Sequence, residues 1–192
     1  MIRSFAPIRR AVAIAALVLA GCLASPALAQ DASGYSMDEI VSEGHRFFGA
    51  TAGGLASVIE NAFQRQGLPN GYILGEEAGG AFIGGLRYGE GTLFTKNAGE
   101  HRIYWQGPSI GLDAGGDGAR MMMLVYDLPA VEQVYGRYSG VAGNAYLVGG
   151  VGMTLLQRQH VTLVPIKTGV GARLGINIGY LKLTAAPTWN PF

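Results

Sequence analysis

Cysteine, charge and histidine are all scarce in this chain. Its 192 residues include one cysteine, Cys22, so no intramolecular disulfide can form. Charged residues make up 14% and no basic cluster appears, which removes the electrostatic footprint that nucleic-acid binding needs. The three histidines, His45, His101 and His160, stand far apart without metal-ligand spacing, and each reads as a solvated side chain. There is no P-loop and no H-E-x-x-H pair. The run Gly169-Val170-Gly171-Ala172-Arg173-Leu174-Gly175 looks like a dinucleotide fingerprint but has the wrong spacing, and no strand–helix context follows it. The expectation is a protein that is not an enzyme, with no catalytic residue, no cofactor and no metal site.

Two acidic pairs stand against that expectation. Asp113 and Asp117 flank a glycine loop too poor in oxygen ligands for calcium, and a plain turn is the better reading. Glu76 and Glu77 are adjacent, so on a strand they would point to opposite faces and could not act together; a solvated turn is expected there.

The first thirty residues differ in composition from the rest. Arg3, Arg9 and Arg10 precede the uncharged apolar run Ala11 to Ala20, which is too short for a bilayer span of about twenty residues. Pro26 then breaks the helix ahead of Ala27-Leu28-Ala29, a small-x-small cleavage site. The reading is a secretory signal peptide over 1–29, processed after Ala29. Leu19-Ala20-Gly21-Cys22 offers an alternative, since it matches a lipobox in which Cys22 would be acylated. Either way no thiol nucleophile survives. Loss of the leader removes three arginines and no acid, leaving a net charge of about −2. A periplasmic location follows, with soluble release favoured and a lipid anchor as the alternative.

Against these absences stand 49% hydrophobic residues and 31 glycines. The first permits a real core; the second, spread through β-like runs, marks tight turns and sharply curved strands. After a flexible tether over 30–35, Ser36 and Glu39 have capping-box spacing. Apolar residues at helical spacing then predict two amphipathic helices, or one kinked helix, within 36–66, interrupted at Gly53-Gly54. From Tyr72 short strand-like runs alternate with glycine turns: 72–74, 81–88, 92–95, 102–105, 145–156, 161–165 and 175–183. Met121 to Tyr126 is continuously apolar, as expected of a strand buried on both faces. Pro129 predicts a short helix running to about Tyr135. The expected fold is mainly β: a small glycine-rich barrel over 71–192 of about eight to ten short strands, with N-terminal helices and one short internal helix, all in a single domain over 36–192.

Tyr104, Trp105, Tyr126, Tyr135, Tyr138, Tyr146 and Tyr180 are expected mainly in core and cross-strand packing, with a lipid or glycan pocket as the alternative. The ending Trp189-Asn190-Pro191-Phe192 suggests an outer-membrane barrel. Pro187 and Pro191 oppose that reading, because each removes a donor, and the strands look shorter than the roughly nine to eleven residues that spanning needs. The protein is therefore expected not to span a membrane.

Three stretches carry a family likeness: Gly89-Glu90-Gly91-Thr92-Leu93, Ile103-Tyr104-Trp105-Gln106-Gly107-Pro108-Ser109-Ile110-Gly111, and Asp113-Ala114-Gly115-Gly116-Asp117-Gly118. With 146–152, 168–175 and the terminal Trp189-Asn190-Pro191-Phe192, they resemble the alphaproteobacterial envelope integrity protein A family from about Tyr35 onward. That resemblance implies a periplasmic β-barrel that supports envelope stress resistance without known catalysis, through contacts with lipid, polysaccharide or envelope proteins. Cys22 departs from a plainly soluble member. A weaker resemblance links 84–91 and the glycine-spaced segment after Gly149 to SYLF lipid-binding domains, which use basic residues. Here Arg87, Arg120 and Arg173 are scattered, so that activity does not carry over residue by residue.

Overall fold

The computed structural model describes residues 34–49, 52–80, 86–108, 119–140, 145–168 and 179–190. The signal-peptide residues with Ala29 and Cys22, the Asp113/Asp117 loop and the 169–175 run lie outside the described residues.

Two helices open the described chain, α1 (Met37–Phe48) and α2 (Leu55–Gln66). The capping box forms as the spacing predicts: the Ser36 hydroxyl accepts from the Glu39 N–H at 3.3 Å, and the Ser36 N–H donates to Glu39 Oε2 at 2.7 Å. Gly54 caps α2 for a reason of packing, because a Cβ there would overlap the Val148 carbonyl.

Ten strands follow: β1 (Gly71–Gly80), β2 (Leu86–Thr95), β3 (Gly99–Pro108), β4 (Ala119–Tyr126), β5 (Gly136–Gly140), β6 (Tyr146–Val148), β7 (Val151–Met153), β8 (Leu156–Arg158), β9 (Val161–Thr168) and β10 (Tyr180–Thr184). Every pairing is antiparallel. The order β4-β1-β2-β3-β10-β5-β8-β9 closes through a β4–β9 ladder into an eight-stranded barrel, and the β6–β7 hairpin extends from β9 beyond β8. The barrel fold expected from the sequence is the fold observed.

Several boundaries differ from the sequence reading. β1, β2 and β3 run ten residues each, so they are not short. The run 145–156 is three strands rather than one: Gly149 and Gly150 both take left-handed φ, +55° and +77°, and reverse the chain between β6 and β7. After Pro129 the chain makes only a 3₁₀ turn over Val131–Val134, two residues later than a proline-led helix would begin. Its last turn is held by the Tyr138 hydroxyl, which donates to the Val134 carbonyl at 2.9 Å.

Two apolar clusters follow from strand alternation. Inward positions such as Ile73, Leu93, Ile103, Trp105, Met121, Met123, Leu163 and Leu181 fill the barrel. Outward positions on the same wall, Met122, Leu124, Tyr126, Val164 and Ile166, pack beneath Ile40, Leu55, Val58 and Ile59 of the helices. β4 is therefore buried on both faces, as its unbroken apolar run predicts.

Candidate functional site

Beyond Leu74 the wall made by β1, β2 and β3 is left uncovered by the helices, and its outer face forms a groove of about 450 Å³. Alternation brings Glu76 and Ala78 from β1, Tyr88 and Glu90 from β2, and Tyr104 and Gln106 from β3 to this face. After β10 the chain turns back, and Pro187, Thr188 and Trp189 form the opposite wall. The Tyr88 hydroxyl donates to the Trp189 carbonyl at 3.0 Å, and the two rings meet edge-on with centroids 5.1 Å apart. Lys182 Nζ donates to the Asn190 carbonyl at 3.1 Å. Trp189 is nevertheless 82% exposed, an uncommon state for a large apolar ring.

The polar groups of the groove are unevenly engaged. Glu90 pairs with Arg102 at 2.8 Å, and that guanidinium also lies over the Tyr104 ring at 5.8 Å. Gln106 is 1% exposed, yet its Nε2 has no partner among the described residues. A buried amide donor left idle costs about 1–3 kcal/mol.

Behind this wall the barrel interior is built around Trp105. The indole lies flat against β1 and β2 because Gly75 and Gly89 have no side chain there; a Cβ on either would overlap the ring. Its Nε1–H donates to Glu77 Oε2 at 2.9 Å, and Lys167 Nζ donates to Glu77 Oε1. Arg87 stands beside them, with Nη1 3.9 Å from the same oxygen.

The structure thus separates the two neighbouring glutamates. Glu76 faces the groove, whereas Glu77, expected in a solvated turn, is 4% exposed in the middle of a strand with a lysine partner. Opposite faces were read correctly; solvation was not, because the partner comes from 90 positions downstream. Lys167 had one signal, being the sole charge in the apolar run Val161–Thr168. The histidines sit apart at the surface, His101 against the Ala98 carbonyl at 2.9 Å and His160 against Gln133 at 3.2 Å. Among the described residues no group of three His, Cys, Asp or Glu side chains is placed to hold a metal ion. Of the aromatics expected in packing, Trp105, Tyr126 and Tyr138 are core residues and Tyr104 lines the groove. Trp189 stands in the groove wall. No helix among the described residues is long and apolar enough to cross a membrane.

The model of the family described as Envelope integrity protein A matches residues 33–192. The chain is also similar to a crystal structure of a beta-barrel-like, uncharacterised protein from Brucella abortus. Identity is 66% and the TM-score 0.80, over 84% of this chain and 100% of that one. A search of the curated proteins finds no match.

Proposed function

Because the chain belongs to the envelope integrity protein A family, we propose that it supports the cell envelope as a non-catalytic binding module whose outer groove docks envelope polysaccharide. The observation that carries this reading is the groove itself, where Tyr88, Tyr104 and Trp189 surround the idle Gln106 amide. Aromatic rings offer flat apolar faces to the C–H face of a sugar ring, while Gln106 and Glu76 give and accept hydrogen bonds from hydroxyls. A volume of about 450 Å³ falls within the ~300–1,000 Å³ typical of small-ligand sites. Glu76 and Glu90 favour neutral sugars over acidic ones, since a second anion beside them would be repelled.

In this reading residues 1–29 are the export signal, cut after Ala29. Residues 30–35 are a tether, and 36–192 act in the periplasm as one domain, with acylated Cys22 as the alternative start. Intact mass of the protein recovered from cells separates the two starts.

The test of the groove is co-sedimentation with purified cell-wall sacculi and with delipidated lipopolysaccharide, alongside Trp189→Ala and Tyr104→Ala variants. Saturable sedimentation that both variants weaken at least about tenfold is expected, equal to roughly 1.4 kcal/mol of binding. Absence of saturable binding to either material would end the polysaccharide reading.

A further inference from the structure

The barrel interior is apolar along most of its length and charged at one end. β1 and β3 end there and β2, β4 and β10 begin there, so Gly80, Leu86, Pro108, Ala119 and Tyr180 mark one rim. Just inside that rim lie Glu77, Arg87 and Lys167, only 4%, 3% and 6% exposed. One carboxylate faces two cations. Both of its oxygens are already taken, Oε1 by Lys167 and Oε2 by Trp105. Arg87 is left with a long 3.4 Å bond from Nη2 to the Tyr180 carbonyl, and with Nη1 3.9 Å from Glu77, beyond hydrogen-bond reach. Its Nε has no partner at all among the described residues. A guanidinium cannot shed its proton, so among the described residues this layer sets two buried cations against one carboxylate, a costly balance without a further anion.

A second observation shows where that anion would sit. Level with this layer or beyond it, the inward-facing positions on β1, β3, β4 and β5 are Gly79, Gly107, Ala119 and Gly140, and Gly179 stands just ahead of β10. No large side chain from these five strands roofs the cations. The lower interior, by contrast, is filled by Ile73, Leu93, Ile103 and Leu163.

We infer that this end of the barrel binds a phosphate group, with the Nε/Nη2 edge of Arg87 forking two of its oxygens and Lys167 supplying a second positive charge. A forked planar guanidinium combined with a point-charge ammonium suits a group with several equivalent oxygens around one centre. Glu77 and Trp105 also border the outer groove, but Arg87 and Lys167 do not line it, and the inference does not rest on polysaccharide binding there. The phosphate can be free or carried by a lipid headgroup, and the experiment separates these sources.

The Trp189→Phe full chain keeps Trp105 as its one tryptophan, and the indole reports on Glu77 directly. We would titrate it with inorganic phosphate, with phosphatidylglycerol vesicles and with phosphatidylcholine vesicles at constant ionic strength, reading Trp105 emission and Tm. A saturable emission change with a raised Tm in phosphate supports the site with free phosphate as a sufficient ligand. The same response to phosphatidylglycerol alone supports a headgroup source. Arg87→Met is expected to weaken either response at least about tenfold, as loss of a charge-assisted pair requires. Without ligand, the same variant should melt above the parent, because it leaves Glu77 and Lys167 as a neutral pair. A flat response to all three titrants overturns the inference. So does an Arg87→Met protein that melts below the parent or fails to fold, since the guanidinium would then be neutralised by the chain itself.

Discussion

The two walls of the barrel are built to different specifications. The wall of β4 and β9 is buried on both faces, feeding Met121 and Leu163 inward and Met122, Leu124, Val164 and Ile166 outward beneath the helices. The wall of β1, β2 and β3 is apolar inside up to its charged end, and beyond Leu74 its outer face carries Glu76, Tyr88, Glu90, Arg102 and Tyr104. The same alternation of period two runs through both. What differs is whether the second face meets a helix or solvent, and only the face left open can recognise anything. Stability should therefore reside in the covered wall and in the interior, and recognition in the open one.

The two tryptophans put that division to its sharpest test. Trp105→Ala removes the interior ring and leaves Glu77 without one of its donors, and should cost about 3–5 kcal/mol in denaturant unfolding. Next in size is Leu124→Ala on the covered wall, about 2–5 kcal/mol. A Leu124→Ala loss no larger than that of the open-wall Tyr104→Ala would break the comparison.

Alkaline pH sharpens it further. Burial raises the Tyr138 hydroxyl in the interior to about 12, and raises Tyr72 beneath the helices to about 12 with help from the nearby Glu43 carboxylate. Burial pushes Tyr126 up as well. An unfolded tyrosine ionises near 10, so the unfolded chain sheds these protons first. Stability should be flat below about pH 10 and fall as pH rises toward 12, followed by melting temperature across that range. A flat profile to pH 12 would show that these hydroxyls are solvated.

Smaller effects follow at the edges. Ser36→Ala should cost about 1 kcal/mol through loss of the capping box. Trp189→Ala, on the open wall, should change stability by no more than about 0.5 kcal/mol while weakening polysaccharide binding. Reversal of the two tryptophan results would invert the assignment of the walls.

How much of this could be read from the residues alone depended on distance along the chain. The Ser36/Glu39 box, the two helices and the doubly buried Met121–Tyr126 strand are local patterns, and each forms as written. The barrel followed from glycine among β-like runs together with a family likeness. The 145–156 run was harder, because Gly149 and Gly150 could as well have sat in a curved strand as turned it. The charged layer was invisible. Glu77 beside Glu76 looks like a surface pair, and nothing near it in sequence announces Lys167 or Trp105. The groove was half visible: its aromatics were noticed, but Trp189 joins Tyr88 only because the chain folds back after β10.

That returning segment gives the groove a removable side. Residues 185–190 belong to no strand and meet the barrel at the Tyr88 hydroxyl, the Tyr88 ring and Lys182. A segment outside the ladders can open locally before the barrel itself unfolds. Trimming by a carboxypeptidase, or a purification tag fused at this end, would strip half the groove from an otherwise intact molecule. Pull-down studies of this protein should therefore place their handle in the 30–35 tether, behind the leader.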